Sequence, residues 1–453
     1  MVRTYFQFIF CSLLVLVGFS LTAQDSLSME RLGQWDPDGY PTHGGLQYND
    51  LWGYTTETGE EYAIIGNADS ILVIDVTDCS APKRVFSHYG SGGVTWRDIK
   101  TYGSYAYSVC DGCSEGMHIF DLSALPDGDV THVMTTSEYF EKAHNIYIDE
   151  PNHRLYAVGV PGGTDVIAYN LEDDPEDPEM LLELNLNDVF GSGNYYIHDI
   201  YVKDNIAYCS HGNPGFNVYN FTYMDVDSIT ELGSIETGAY NHSSWTDEEE
   251  AYAYFAEEVP TGKPMGVIDL ANLGSDTEDI SIVTTFADTL EETGAPTPHN
   301  PYVVGDYLYI SYYEDGTKVY DITDRENPAL LAYYDTYLDN DGEYTGYEGN
   351  WGTYPFFTSG CIISSDIIHG LNTLQVDWGL TDTCTPVVEL DGTEGTGTYS
   401  ASNHLRANGV IPIGDNVTYM GVQSVELNSG FHLQAGSEFE AKIEACQANT
   451  SGQ

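Results

Sequence analysis

Positive charge is what this sequence has least of. Fourteen Lys and Arg residues stand against 71 Asp and Glu, for a formal net charge of −57. A surface of that sign repels phosphate backbones and anionic headgroups, which excludes nucleic-acid binding. It suits cations, a basic partner or a salty medium, and it keeps a secreted surface well solvated. Long apolar runs are also missing, except at the start. There Arg3, the apolar stretch Phe6–Val17 and the end Leu21-Thr22-Ala23 have the layout of a secretory signal peptide over residues 1–23. The stretch is short for a bilayer span, so no membrane helix is expected once the signal is removed. The mature chain is read as exported, either secreted or held at the cell surface. No helical period follows the leader. Nucleotide-binding glycine loops, G-x-S-x-G and H-E-x-x-H are all absent.

Cysteine is scarce: eight residues in all, with Cys11 inside the leader. Cys110-Asp111-Gly112-Cys113 reads as a local disulfide in an exported protein, because a redox C-x-x-C opens a helix and none follows here. Cys384 and Cys446 flank a C-terminal module and are candidates to bridge it. Cys79, Cys209 and Cys361 show no partner in the sequence.

What is present is repetition. The run ILVIDVTD at Ile71–Asp78 has six variants: Met117–Ala124, Val166–Asp173, Phe216–Tyr223, Met265–Asn272, Thr317–Asp324 and Thr373–Leu380. They recur roughly every fifty residues, which must be read before any single motif. Each sits third among four short strand-like runs separated by turn residues, the pattern of a propeller blade. The column Asp75, Asp121, Asn170, Asn220, Asp269, Asp321 and Asp377 closes the third strands and reads as turn-capping. The last unit lacks a fourth strand, and Met29–Asp36 (MERLGQWD) matches Pro328–Asp335 (PALLAYYD) in pattern. The expected architecture is all-β: a seven-bladed β-propeller over residues 27–380, closed by its N-terminal strand. A linker (381–398), a small β-solenoid-like module with short glycine-spaced rungs (399–446) and a polar tail (447–453) follow.

The runs ILVIDVTD, WRDIKTYGSYAYSVCDGC, AHNIYIDE and WGTYPFFTSGCIISSD resemble the LVIVD-repeat proteins called choice-of-anchor B. Residues 399–446 resemble the three-coathanger-stack domain of exported bacterial proteins. The resemblance implies a secreted bacterial propeller whose C-terminus carries an attachment module, and it implies no established reaction.

Candidate site residues come from aligning the first strands, whose starts line a propeller axis. The pairs are Asn49-Asp50, Arg97-Asp98, His144-Asn145, His198-Asp199, His242-Ser243, His299-Asn300 and Tyr354-Pro355. His144, His198, His242 and His299 put imidazole in four consecutive blades. Such a column either holds a divalent metal or bonds neighbouring blades and water around the channel mouth. Arg97, Asp98, Asn145, Asp199 and Asn300 share that layer. Loops on the same face carry Cys110, Cys113, His211, Glu257, Glu258, Glu314, Asp315, Asp366 and His369, and His211 joins the candidate ligand-binding set. Glu257 and Glu258 make a poor glycosidase pair, since adjacent strand residues point to opposite faces. Asp339, Asp341 and Glu343 alternate as calcium ligands do, without the twelfth-position acid of an EF-hand. The function expected is a binding or scaffold module for a glycan, peptide or envelope partner. The alternatives are a metal-dependent enzyme built on the histidine column, with a divalent ion or Ca²⁺ as cofactor, and an adhesin that attaches through its C-terminal module.

Overall fold

A computed structural model describes residues 26–275, 277–288, 295–337 and 346–378. Beyond them it describes 387–390, 393, 396–401, 404–421, 424–428, 430–434, 437–443 and 450–451. The stretch 1–23 read as a signal peptide, the expected calcium ligands Asp339, Asp341 and Glu343, and Cys384 and Cys446 lie outside the described residues.

Seven antiparallel sheets follow one another in chain order, and together they form a seven-bladed β-propeller. The first blade shows the design. Its strands Tyr48–Thr55, Glu61–Asn67, Ser70–Asp75 and Lys83–Tyr89 pair in sequence order. The second strand is buried throughout, which is why EYAIIGN carries an unbroken apolar run. The fourth is partly exposed along its whole length and reads as mixed KRVFSHY. Apolar side chains of facing blades then interleave. Ile64 and Val73 meet Ile99, Phe120 and Leu122 of the second blade, while Leu51, Ile65 and Leu72 meet Phe357, Ile363 and Leu371 of the seventh. Each such side chain contributes about 1.5–3 kcal/mol when withdrawn from water.

The Asx column does what its chemistry suggests. Asp75, Asp121, Asn170, Asn220, Asp269 and Asp321 each accept, through Oδ1, a hydrogen bond from the backbone amide two residues on, at 2.8–3.0 Å. These bonds close the turn that leaves each third strand.

The ring closes through the N-terminus. Met29–Trp35 runs antiparallel to Gly370–Val376 and completes the seventh blade, with Met29 opposite Val376 and Trp35 opposite Leu371. Ser26–Leu27 adds a fifth strand to the sixth blade along Ala329–Tyr334, a feature the sequence pattern does not announce. A disulfide joins Cys79 to Cys361, two residues without evident partners in the sequence. It ties the turn after the first blade's third strand to the seventh blade, at the seam the N-terminal strand closes. Cys110 and Cys113 are bonded to each other, as the spacing suggests, and Cys209 is free and buried.

The C-terminal module has a different grammar. Its strands stack in parallel: Val387–Leu390 on His404–Ala407 on Ser424–Leu427, and Gly397–Ala401 on Asn416–Gly421 on Glu438–Ile443. Leu405, Ile411, Val417 and Tyr419 fill the interior between these two ladders. No helix among the described residues is long and apolar enough to cross a membrane.

Candidate functional site at the axis mouth

The seven inner strands bring their first residues to one opening. A cavity of about 510 Å³ lies there, lined among others by Asp50, Arg97, Asp98, His144, Asn145, His198, His242, Glu258, His299, Asn300 and Trp351. Residues spread over three hundred positions of chain thus become neighbours. Asp199 lies one layer deeper, on a narrow waist of the channel beside Lys100. His211 stands apart from the cavity: its ring packs on Tyr195 and Tyr219, with Nε2 3.3 Å from the Tyr219 hydroxyl.

The four imidazoles form an arc. Ring centres are 4.3 Å apart for His144 and His198, 4.3 Å for His198 and His242, and 4.1 Å for His242 and His299. Hydrogen bonds run around the arc in one sense. His198 Nδ1 bonds the His242 carbonyl at 3.0 Å, His242 Nδ1 the His299 carbonyl at 3.1 Å, and His299 Nδ1 the Trp351 carbonyl at 2.6 Å. A carbonyl only accepts, so each Nδ1 carries the proton, and Nε2 of the neutral ring keeps its lone pair. His144 bonds Asp111 instead, at 3.0 Å. The arc therefore stitches blades together and at the same time presents basic nitrogen to the cavity.

That progression also corrects the register of the last blade. Trp351-Gly352, rather than Tyr354-Pro355, occupies the place of His299-Asn300. The Gly352 amide donates to Ser365 Oγ at 3.1 Å just as the Asn300 amide donates to Ser311 Oγ at 3.0 Å.

Burial governs the charge state. It pushes His242 down to about 3, and it lowers His198 and His299 well below the ordinary imidazole range, with neighbouring imidazoles adding to the effect. Glu258 faces the arc. Its Oε1 accepts from the Tyr313 hydroxyl at 2.7 Å, and its Oε2 lies 3.8 Å from His242 Nε2. Ligand atoms of His198, His242 and Glu258 lie within 4.8 Å of one another, whereas His144 and His299 fall outside that tight group. Glu257, its neighbour, turns the other way and accepts from the Ala239 amide at 2.8 Å.

Below the arc a second layer seals the channel. Lys100 Nζ sits 2.6 Å from Asp98 and 3.9 Å from Asp50. Burial opposes the Lys100 charge, but Asp98 and Asp50 offset it and raise its pKa. Burial likewise raises Asp50 well above the usual carboxylate range and Asp199 to about 6. Asp98 also accepts from the Ile146 amide of the next blade at 2.6 Å, so it binds blade to blade rather than ligand. Arg97 donates to the carbonyls of Asn67 and Ser91 at 3.1 and 2.8 Å, while its Nη1, beside the cavity, makes no hydrogen bond among the described residues. Of the face loops, Glu314 and Asp366 cap backbone amides, and Asp315 pairs with the fully buried Lys318. At the far mouth Trp52, Tyr147, Tyr201, Trp245, Tyr354 and Phe356 wall a further cavity of about 400 Å³. Trp52, Tyr147, Tyr201, Trp245 and Tyr354 each stand three residues after Asn49, His144, His198, His242 and Trp351, so the repeat that marks the histidines also carries this aromatic column, which sequence reasoning missed because it took only the strand starts.

The axis mouth also gathers aromatic faces. Trp96 and Tyr347 are 42% and 38% exposed at its rim, and Trp351 and Tyr313 pack on His299 at 4.7 and 4.8 Å. Flat rings beside carboxylates and neutral imidazoles suit a ligand with apolar faces and many hydroxyls.

No family model and no curated protein matches the chain. Solved structures do. The β-propeller domain of Cps50 (Swd1) from Myceliophteria thermophila is 11% identical with a TM-score of 0.50, over 76% of this chain and 99% of that one. The WD40 repeats of RRP9 are 10% identical with a TM-score of 0.50, over 77% and 99%. U3-55K is 9% identical with a TM-score of 0.51, over 77% and 98%. At such identities the likeness shows the propeller fold and nothing finer.

Proposed function

We propose that this chain is an exported bacterial binding module of the choice-of-anchor B kind, and that its axis mouth takes a glycan. A β-propeller is suited to binding and scaffolding, because a rigid ring holds variable side chains at its mouth. The single observation that carries the ligand class is the cavity lining: exposed aromatic faces, one carboxylate held by Tyr313 and the uncharged imidazoles of His198, His242 and His299. Rings stack on the apolar faces of sugars, while the polar groups meet hydroxyls. The parallel-stranded C-terminal module is assigned to surface attachment. The test is a glycan array probed with the mature chain and with Trp351→Ala. Binding that falls at least tenfold in the variant supports the reading, and equal binding by both proteins, or none by either, refutes it.

A second reading, a metal-dependent enzyme, is favoured by one specific arrangement. His198 and His242 each donate Nδ1–H to a carbonyl, the arrangement that orients metal-bound imidazoles elsewhere. With Glu258 they offer two nitrogens and one oxygen. Metal analysis of protein reconstituted with Zn²⁺, Fe²⁺ or Mn²⁺ decides it: a bound equivalent that disappears in His242→Ala supports this reading, and its absence removes it.

A further inference from the structure

We propose that a second site, at the seam between the outer strands of the first two blades, binds a divalent transition-metal ion of the zinc class through His88, His118 and His132. The site is separate from the axis mouth. His88 lies on Lys83–Tyr89, the outermost strand of the first blade. His118 and His132 lie on Met117–Asp121 and Thr131–Thr136, the last two strands of the second.

One ring nitrogen from each histidine lies within 4.8 Å of the others. Three nitrogens on one tetrahedral zinc, at about 2.0–2.1 Å, are roughly 3.4 Å apart, so each ring needs to move inward by about 1 Å or less. The hydrogen bonds already choose the atoms. His118 Nε2 lies 3.0 Å from Glu115 Oε2, and the Glu115 oxygen also accepts from the Ser91 amide at 2.8 Å. A carboxylate anchored in this way takes the Nε2 proton and leaves Nδ1 as the basic atom. Carboxylate, imidazole and metal in series are a recurring arrangement in zinc sites. His118 Nδ1 and His132 Nε2 then face the same point, because both lie 3.0 Å from Thr135 Oγ1. His88 stacks on His132 with ring centres 3.9 Å apart, and its ring nitrogens make no hydrogen bond among the described residues.

The surroundings suit an ion as well. Phe120 forms an apolar floor, 5.4, 6.2 and 5.2 Å from the rings of His88, His118 and His132. His118 is buried, while His88 and His132 are half-buried, which gives an ion a way in and leaves a fourth position open to water. Neutral imidazole is the preferred nitrogen ligand of Zn²⁺, and thiols play no part here. Bound metal would pin the edge of one blade to the next.

The experiment uses the full mature chain, stripped with chelator, in a His242→Ala background so that the axis group contributes nothing. Co²⁺ is titrated at pH 7.5 and followed by its visible absorption, and Zn²⁺ is then added to displace it. The expected result is one equivalent of Co²⁺ with the intense bands of four-coordinate cobalt, displaced by Zn²⁺. The bands are absent when His88→Ala and His132→Ala are added. Zn²⁺ should also raise the melting temperature of the parent and leave that of the triple variant unchanged. Both substituted positions are half-buried on outer strands, and far-ultraviolet circular dichroism confirms that the variant is folded. Equal binding by both proteins, or no binding by the parent, overturns the proposal. Neither outcome depends on whether the axis mouth binds a glycan.

Discussion

At the scale of single residues, the account turns on uncharged imidazole. The folded pKa of His242 is about 3, below the unfolded value of about 6.5. The unfolded chain therefore takes up the proton first, so the contribution of a neutral His242 is complete above pH 6.5 and is lost as pH falls toward 3. Wild type and His242→Gln, compared by urea unfolding at pH 7.5 and 5.5, should differ in pH slope. The wild type should lose up to about 1.4 kcal/mol more per pH unit below 6.5. Equal slopes contradict the assignment. Asp199, raised to about 6, works in the opposite sense and gains stability as pH falls from 6 toward the ordinary carboxylate value. A second residue-level prediction concerns Gly33. A Cβ there would lie 2.6 Å from Pro82 Cδ and 2.9 Å from the Cys79 carbonyl. Gly33→Ala should therefore cost about 1–3 kcal/mol in chemical denaturation, because backbone and proline give way poorly.

At the scale of elements, the N-terminal strand matters most. Met29–Trp35 covers an edge that would otherwise expose the unpaired backbone of Gly370–Val376. A chain beginning after residue 36 should lose the cooperative melt of the propeller and associate through that edge, as read by calorimetry and light scattering. A monomer with unchanged melting would contradict the closure. Much at this scale was legible in the sequence. The strands were readable because turn residues punctuate apolar runs, and the Asx column marks every third strand. The closing strand was readable because MERLGQWD repeats the pattern of PALLAYYD. The seventh blade's inner strand was harder: Asn350–Tyr354 carries Trp351 where four other blades carry His, so the repeat supplies no matching letter. The His88, His118 and His132 cluster was invisible for a similar reason. His118 and His132 sit on neighbouring strands of the second blade and His88 on the outermost strand of the first, and lateral packing between strands and blades leaves no period in the chain. Glu258 stood out only as one of several acids on face loops. Its place opposite His242 depends on the Tyr313 hydroxyl, which no local pattern encodes.

At the scale of the whole molecule, one seam is closed twice. The Cys79–Cys361 disulfide and the N-terminal strand both join the first and seventh blades, and the bonded cysteines are 282 positions apart. In the chain-entropy treatment a loop of that size stabilises the fold by roughly 5.6 kcal/mol, whereas measured values run about 2–5 kcal/mol. Cys79→Ser with Cys361→Ser should lower unfolding free energy by that amount, read by guanidinium titration. Loss of the local Cys110–Cys113 bond should matter much less, since it closes only a short loop. The ring itself creates the candidate site, because closure brings Asp50 of the first blade and Trp351 of the seventh to the opening that the histidine arc lines.

The most direct measurement is a crystal structure of residues 24–453 with the glycan that an array selects. The account predicts sugar density in the axis cavity, against Trp351 and within hydrogen-bond distance of Glu258 and His242. Density at the far mouth or on the C-terminal module, with the axis cavity holding solvent alone, would contradict it.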